Sequence, residues 1–93
     1  MPRIRTHPGT ILKKEFLVLF GMSAKQLAEA VGVPPNRITE LIRARRGVTA
    51  DTAIRLSRYF GTTAKFWLNL QHAHDLSKAE TETDYSKIPV RAA

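Results

Sequence analysis

The chain has 93 residues and an ordinary apolar share, which makes one small domain with a single core. It has no cysteine, excluding disulfides and thiolate metal sites, and no apolar run long enough for a membrane helix. Its formal net charge of +7 is uneven: residues 1–46 hold nine Lys and Arg against three acids, net +6, and residues 47–93 hold six against five, net +1. A basic N-terminal half points to a polyanion partner, although charge excess alone fits a solvated surface equally well.

The N-terminus, MPRIRTHPG, carries arginines but no apolar stretch. No secretory leader is expected, and residues 1–6 read as a flexible basic arm. Pro8, Gly9 and Thr10 open a first helix, in which Ile11, Leu12, Phe16 and Leu19 form an apolar stripe; Gly21 closes it. Ser23 is a good N-cap for a second helix, and Gln26, three residues on, completes a capping box. Leu27, Ala28 and Val31 form its inner face. Gly32 suits the left-handed conformation of a sharp turn, and Pro34 and Pro35 start a third helix with Ile38, Leu41 and Ile42 inward. Thr49 caps a fourth helix, with Asp51 in its first turn, a stripe of Ala53, Leu56, Ser57 and Phe60, and Gly61 as its stop. Thr63 caps a fifth, carrying Phe66, Trp67, Leu70, Ala73 and His74 and ending near Lys78 to Glu80. Residues 81–93 read as a mostly irregular tail with one short apolar patch, Ile88, Pro89 and Val90. The prediction is an all-α, five-helix domain over residues 7–80 between an arm and a tail.

Residues 23–47 read as a helix-turn-helix. Such a motif needs a small residue mid-way along its first helix (Ala28), a turn residue about four positions on (Gly32), and apolar anchors on its second helix (Ile38, Leu41). The outward residues of the second, recognition helix are then Asn36, Arg37, Thr39, Glu40 and Arg43. Asn36 suits adenine, Arg37 guanine, Glu40 the cytosine amino group and Thr39 a thymine methyl, and Arg43 completes the predicted base-contacting set. Glu40 fits equally well as an ion-pair partner of Arg37 or Arg43 on its own helix. Ser23, Ala24 and Lys25 start the preceding helix, where free N–H groups hold phosphate; Arg45 and Arg46 are expected to grip the backbone on the other side.

An enzyme is not expected. His72 and His74 are two apart on a helix and face different ways, His7 is isolated, and no phosphate loop or catalytic constellation stands out. No metal or other cofactor is expected. Phe66, Trp67 and Leu70 are read as core or as a dimer seam, because so short a chain offers little interior for its aromatics.

Four runs, HPGTILKKEF (7–16), LAEAVGVPPNRITELI (27–42), RRGVTADTAIRLSRYFGTTAKFWLNLQ (45–71) and DL (75–76), closely resemble HigA-type antitoxins. These are also described as VapI-like, within the Xre and lambda-repressor helix-turn-helix class. The resemblance covers about residues 7–76. It implies a repressor-like five-helix fold, a bacterial cytoplasmic homodimer on a palindromic operator of its own operon, and direct neutralisation of HigB, a RelE-like mRNA-cleaving toxin. A stand-alone Xre-type repressor without a toxin is the alternative, and a module that binds only protein is a third reading. Pro34 and Pro35 depart from the polar residues usual in relatives, which places the reading edge at Asn36, Arg37 and Thr39.

Overall fold

The computed structural model describes residues 3–91. Five helices follow one another, with no strand among the described residues. We label them α1 (residues 8–20), α2 (Ala24–Val31), α3 (Pro35–Ile42), α4 (Ala50–Phe60) and α5 (Ala64–Glu82). No described helix is long and apolar enough to cross a membrane.

The helix starts follow the local chemistry. Ser23 and Gln26 form the complete capping box, and the Thr49 and Thr63 hydroxyls accept the N–H groups of Thr52 and Phe66. His7 caps α1: its Nδ1 accepts the Gly9 N–H at 2.9 Å, a role its isolation in sequence did not suggest.

α1 departs from regular periodicity. It begins as an α-helix (Pro8–Ile11), widens into a π-helical stretch (Leu12–Leu17) and ends as a short α-turn (Val18–Phe20). The wider stretch advances the buried stripe by one residue, so Leu12 and Leu17 are buried while Leu19, expected inside, is 74% exposed.

Leu12, Leu27, Ala28, Ile38, Ala53, Leu56 and Trp67 are fully buried and draw all five helices onto one core. Trp67 has no exposed surface, packs against Phe16 (ring centroids 5.1 Å apart) and donates its indole N–H to Thr62 Oγ1 at 2.8 Å. This corrects the reading of Trp67 as part of a dimer seam: its side chain is spent inside its own subunit, its one polar atom satisfied there.

The ends also differ from expectation. Met1 and Pro2 of the arm and Ala92 and Ala93 of the tail lie outside the described residues. The arm is fastened at Arg5, whose N–H donates to Ser77 Oγ (2.8 Å) and whose carbonyl accepts from His74 Nδ1 (2.7 Å). α5 continues to Glu82, past the expected end, and the irregular segment starts at Thr83.

Candidate nucleic-acid interface

α2 and α3 meet through Ala28, which is fully buried, and Gly32, whose φ of +76° most side chains resist. α4 locks this turn from behind. Arg55 Nη1 donates to the carbonyls of Val31 (2.7 Å) and Gly32 (3.3 Å), and its Nε to Asp51 Oδ2 (2.9 Å). The same oxygen receives Arg37 Nη1 from α3 at 2.8 Å. The hydrogen bond from Arg55 holds the Asp51 carboxyl below its ordinary range against an opposing desolvation, with the charge of Arg55 and the Arg37 contact adding to it.

The predicted base-contacting residues divide accordingly. Asn36, Thr39, Glu40 and Arg43 stand at i, i+3, i+4 and i+7 and share one stripe of α3. Arg37 lies about 100° round the helix and turns toward Asp51. Asn36 and Arg43 are exposed, and their side chains have no partner among the described residues. Thr39 donates its hydroxyl to the Pro35 carbonyl (3.1 Å), and Glu40 lies 3.6 Å from Arg46 rather than pairing along its own helix.

The loop after α3 is built as carefully as the helix. Ala44 takes a left-handed φ of +58°. Its N–H donates to the Leu41 carbonyl, and that of Arg45 to the Glu40 carbonyl, closing the helix in a Schellman arrangement. Gln71 of α5 then clasps the loop: its Oε1 accepts the Val48 N–H at 2.7 Å, and its Nε2 donates to Asp75 Oδ1 at 2.8 Å. Exposed Arg45 and Arg46 therefore project from a fixed loop. Gln71 escaped the sequence reading, although a polar residue four after Trp67, on the buried face of α5, was the available signal. The phosphate cradle at the start of α2 is narrower than expected. The Ser23 N–H donates to Gln26 Oε1 (2.8 Å) and its hydroxyl accepts from Gln26, so Ser23 is committed to capping, while the Lys25 side chain is unpaired among the described residues.

Residues 13–67 match the helix-turn-helix family. The chain belongs to the Xre-like helix-turn-helix family. It is 55% identical over 82 residues to Virulence-associated protein I of Dichelobacter nodosus, covering 88% of this chain and 74% of that protein. It is 51% identical over 69 residues to Antitoxin HigA-1 of Vibrio cholerae, covering 73% of this chain and 64% of that protein. Its fold superposes on antitoxin GraA in complex with its operator with a TM-score of 0.92 and 41% identity, over all of this chain and 97% of that one. The five-helix architecture is thus that of HigA- and GraA-type antitoxins, and the family is one of DNA-binding regulators.

One contact holds the recognition helix of this helix-turn-helix protein from its far end. A Cβ on Gly9 would lie 1.7 Å from the carbonyl oxygen of Leu41, so only glycine lets the start of α1 meet the end of α3. Beside it, His7 and His74 meet edge to face with ring centroids 4.8 Å apart, so His7 is not isolated. Burial, followed by the neighbouring His74, pushes the His7 pKa below its usual 6.5. No group of three or more metal-ligating side chains occurs among the described residues. Of the other seam residues, Phe66 is 38% exposed and Leu70 lines a surface cleft.

Proposed function

We propose that this chain is the antitoxin of a type II toxin–antitoxin pair. As a homodimer it binds a palindromic operator of its own operon, and it neutralises a HigB-like, RelE-type mRNA-cleaving toxin by direct contact. The observation that carries the DNA-binding part is the stripe of Asn36, Thr39, Glu40 and Arg43, with Asn36 and Arg43 exposed at its two ends, on a helix clamped behind by Asp51, Arg55 and Gly9. A rigid helix with an open polar edge suits base reading in the major groove. Within that reading, Asn36 and Arg43 contact bases, with Thr39 and Glu40 between them. Arg37, held by Asp51, sets the helix's orientation and reaches DNA only by giving up that contact. Lys25, Arg45 and Arg46 hold phosphates, which fix register without reading sequence. The likeness to HigA and GraA antitoxins supports the toxin-binding part.

Titrating labelled upstream DNA of the operon with the parent and Asn36→Ala tests the interface. The variant is expected to lose about 1–3 kcal/mol of operator affinity while its affinity for unrelated DNA stays unchanged. Equal operator binding by both proteins overturns the assignment of the stripe. Co-expression with the product of the neighbouring small reading frame tests the antitoxin part: a stable complex and relief of growth arrest are expected. If neither appears, the protein is a stand-alone repressor.

A further inference from the structure

A cleft of about 540 Å³ lies between the N-terminal segment and α5, lined by Arg3, Arg5, Thr6, Ile11, Leu70 and Ala73. Its floor is apolar (Ile11, Leu70, Ala73) and its rim carries two cations. The bonds from Arg5 to Ser77 and His74 fasten the segment through its backbone, leaving both guanidinium groups without an ion pair among the described residues. The cleft is therefore a fixed feature with unspent positive charge beside apolar surface.

The same helix supplies the complement. The last buried residue of α5 is Gln71. Beyond it, Leu76 is 65% exposed, and Glu80, Glu82 and Asp84 are exposed and unpaired with any cation among the described residues. Exposed Tyr85, Ile88 and Val90 follow, with Lys87 as the one cation between Glu80 and Val90. From Thr83 on, side chains and backbone bond only locally: Ser86 N–H to Asp84 Oδ1, and Ile88 N–H to the Tyr85 carbonyl. The segment thus holds a turn of its own with its apolar side chains exposed and available to a partner surface.

We propose that the cleft receives the acidic-apolar C-terminal segment, Glu80 to Val90, of a second copy of this chain, and that the exchange is reciprocal. Ala73, Leu76 and Glu80 share one face of α5. Two antiparallel α5 helices crossing near Leu76 set Ala73 of one copy opposite Glu80 of the other, and Leu70 opposite Thr83. The acids and Tyr85 then lie against Arg3, Arg5 and the apolar floor. A two-fold axis makes the contact twice, as an isologous interface requires. A basic partner protein is a poorer fit, because the cleft itself is basic. The inference rests on the homodimer reading above and assigns the surface that makes the dimer.

Light scattering and dimer dissociation constants of the full chain test it, with buried Trp67 fluorescence checking that each variant is folded. One variant reverses the cleft (Arg3→Glu with Arg5→Glu) and one reverses the tail (Glu80→Arg, Glu82→Arg and Asp84→Arg). Each alone is expected to weaken the dimer roughly tenfold or more. An equimolar mixture of the two restores it, since each reversed cleft then meets a reversed tail and each parental cleft a parental tail. If folded reversed variants dimerise as the parent does, or the mixture fails to recover, the cleft is not the seam, although the homodimer reading stands. A monomeric parent overturns both.

Discussion

The two halves of α5 differ in what they serve. From Ala64 to Gln71 the helix is part of the core: Trp67 is fully buried, and Gln71 reaches across to hold the loop behind the recognition helix. From His72 onward it is largely exposed, tied to the N-terminal segment through His74 and Ser77 and followed by an exposed tail whose hydrogen bonds are local. One helix thus stabilises the subunit with its first half and offers surface with its second. A long helix in a small domain need not be core along its whole length, and the point where burial stops shows where its second task begins.

Breaking the first half should have the largest effect. Trp67→Ala removes the aromatic centre of the core and is expected to cost about 3–5 kcal/mol in urea-induced unfolding. Gln71→Ala leaves the buried Val48 N–H without its acceptor and is expected to cost about 1–3 kcal/mol. It should also weaken binding to all DNA, because the loop bearing Arg45 and Arg46 loses its anchor; unchanged non-specific affinity would separate that loop from the interface.

The junction of the halves should respond to pH. The folded His7 pKa lies below 6.5, so near that pH the unfolded chain binds more protons than the folded one. Stability from the neutral His7 is complete above 6.5 and declines as pH falls toward the folded value. Melting temperature is expected to drop modestly on acidification below 6.5, and His7→Asn, which keeps a capping side chain without titrating there, should flatten the drop. The smallest effect belongs to the second half: deleting residues 83–93 should change subunit stability by under about 0.5 kcal/mol, since the described part of that segment packs on no core residue. A large loss that persists at concentrations where the parent is monomeric would show that the tail supports its own subunit.

Much of the motif was legible because its determinants are local. The Ser23–Gln26 capping box, the Gly32 turn, the threonine caps and the apolar spacing on α3 act over a few residues, and each occurs where expected. The contacts that went unread join distant positions: Gln71 to Val48, Arg55 to the Val31–Gly32 turn, Asp51 to Arg37, Gly9 to Leu41 and Arg5 to Ser77. No periodicity reports such pairs. Arg37 illustrates the cost: its helical position allows a base-reading role, and an acid fourteen residues away directs it elsewhere.

The π-helical stretch of α1 has a further consequence. It acts as a phase shift within one helix, letting the segment before it face the end of α3 and the segment after it follow a different bearing. Val18, Leu19 and Phe20 are consequently turned outward together, with Phe20 lying nearly parallel to Phe60 at 5.9 Å. Wound at regular α-helical pitch with the same residues, the turn after Leu17 would stand about 100° further round the helix, with that apolar trio on a different bearing. The exposure of this apolar run is thus a product of helix phase, set by the wider turn rather than by the side chains of the run itself.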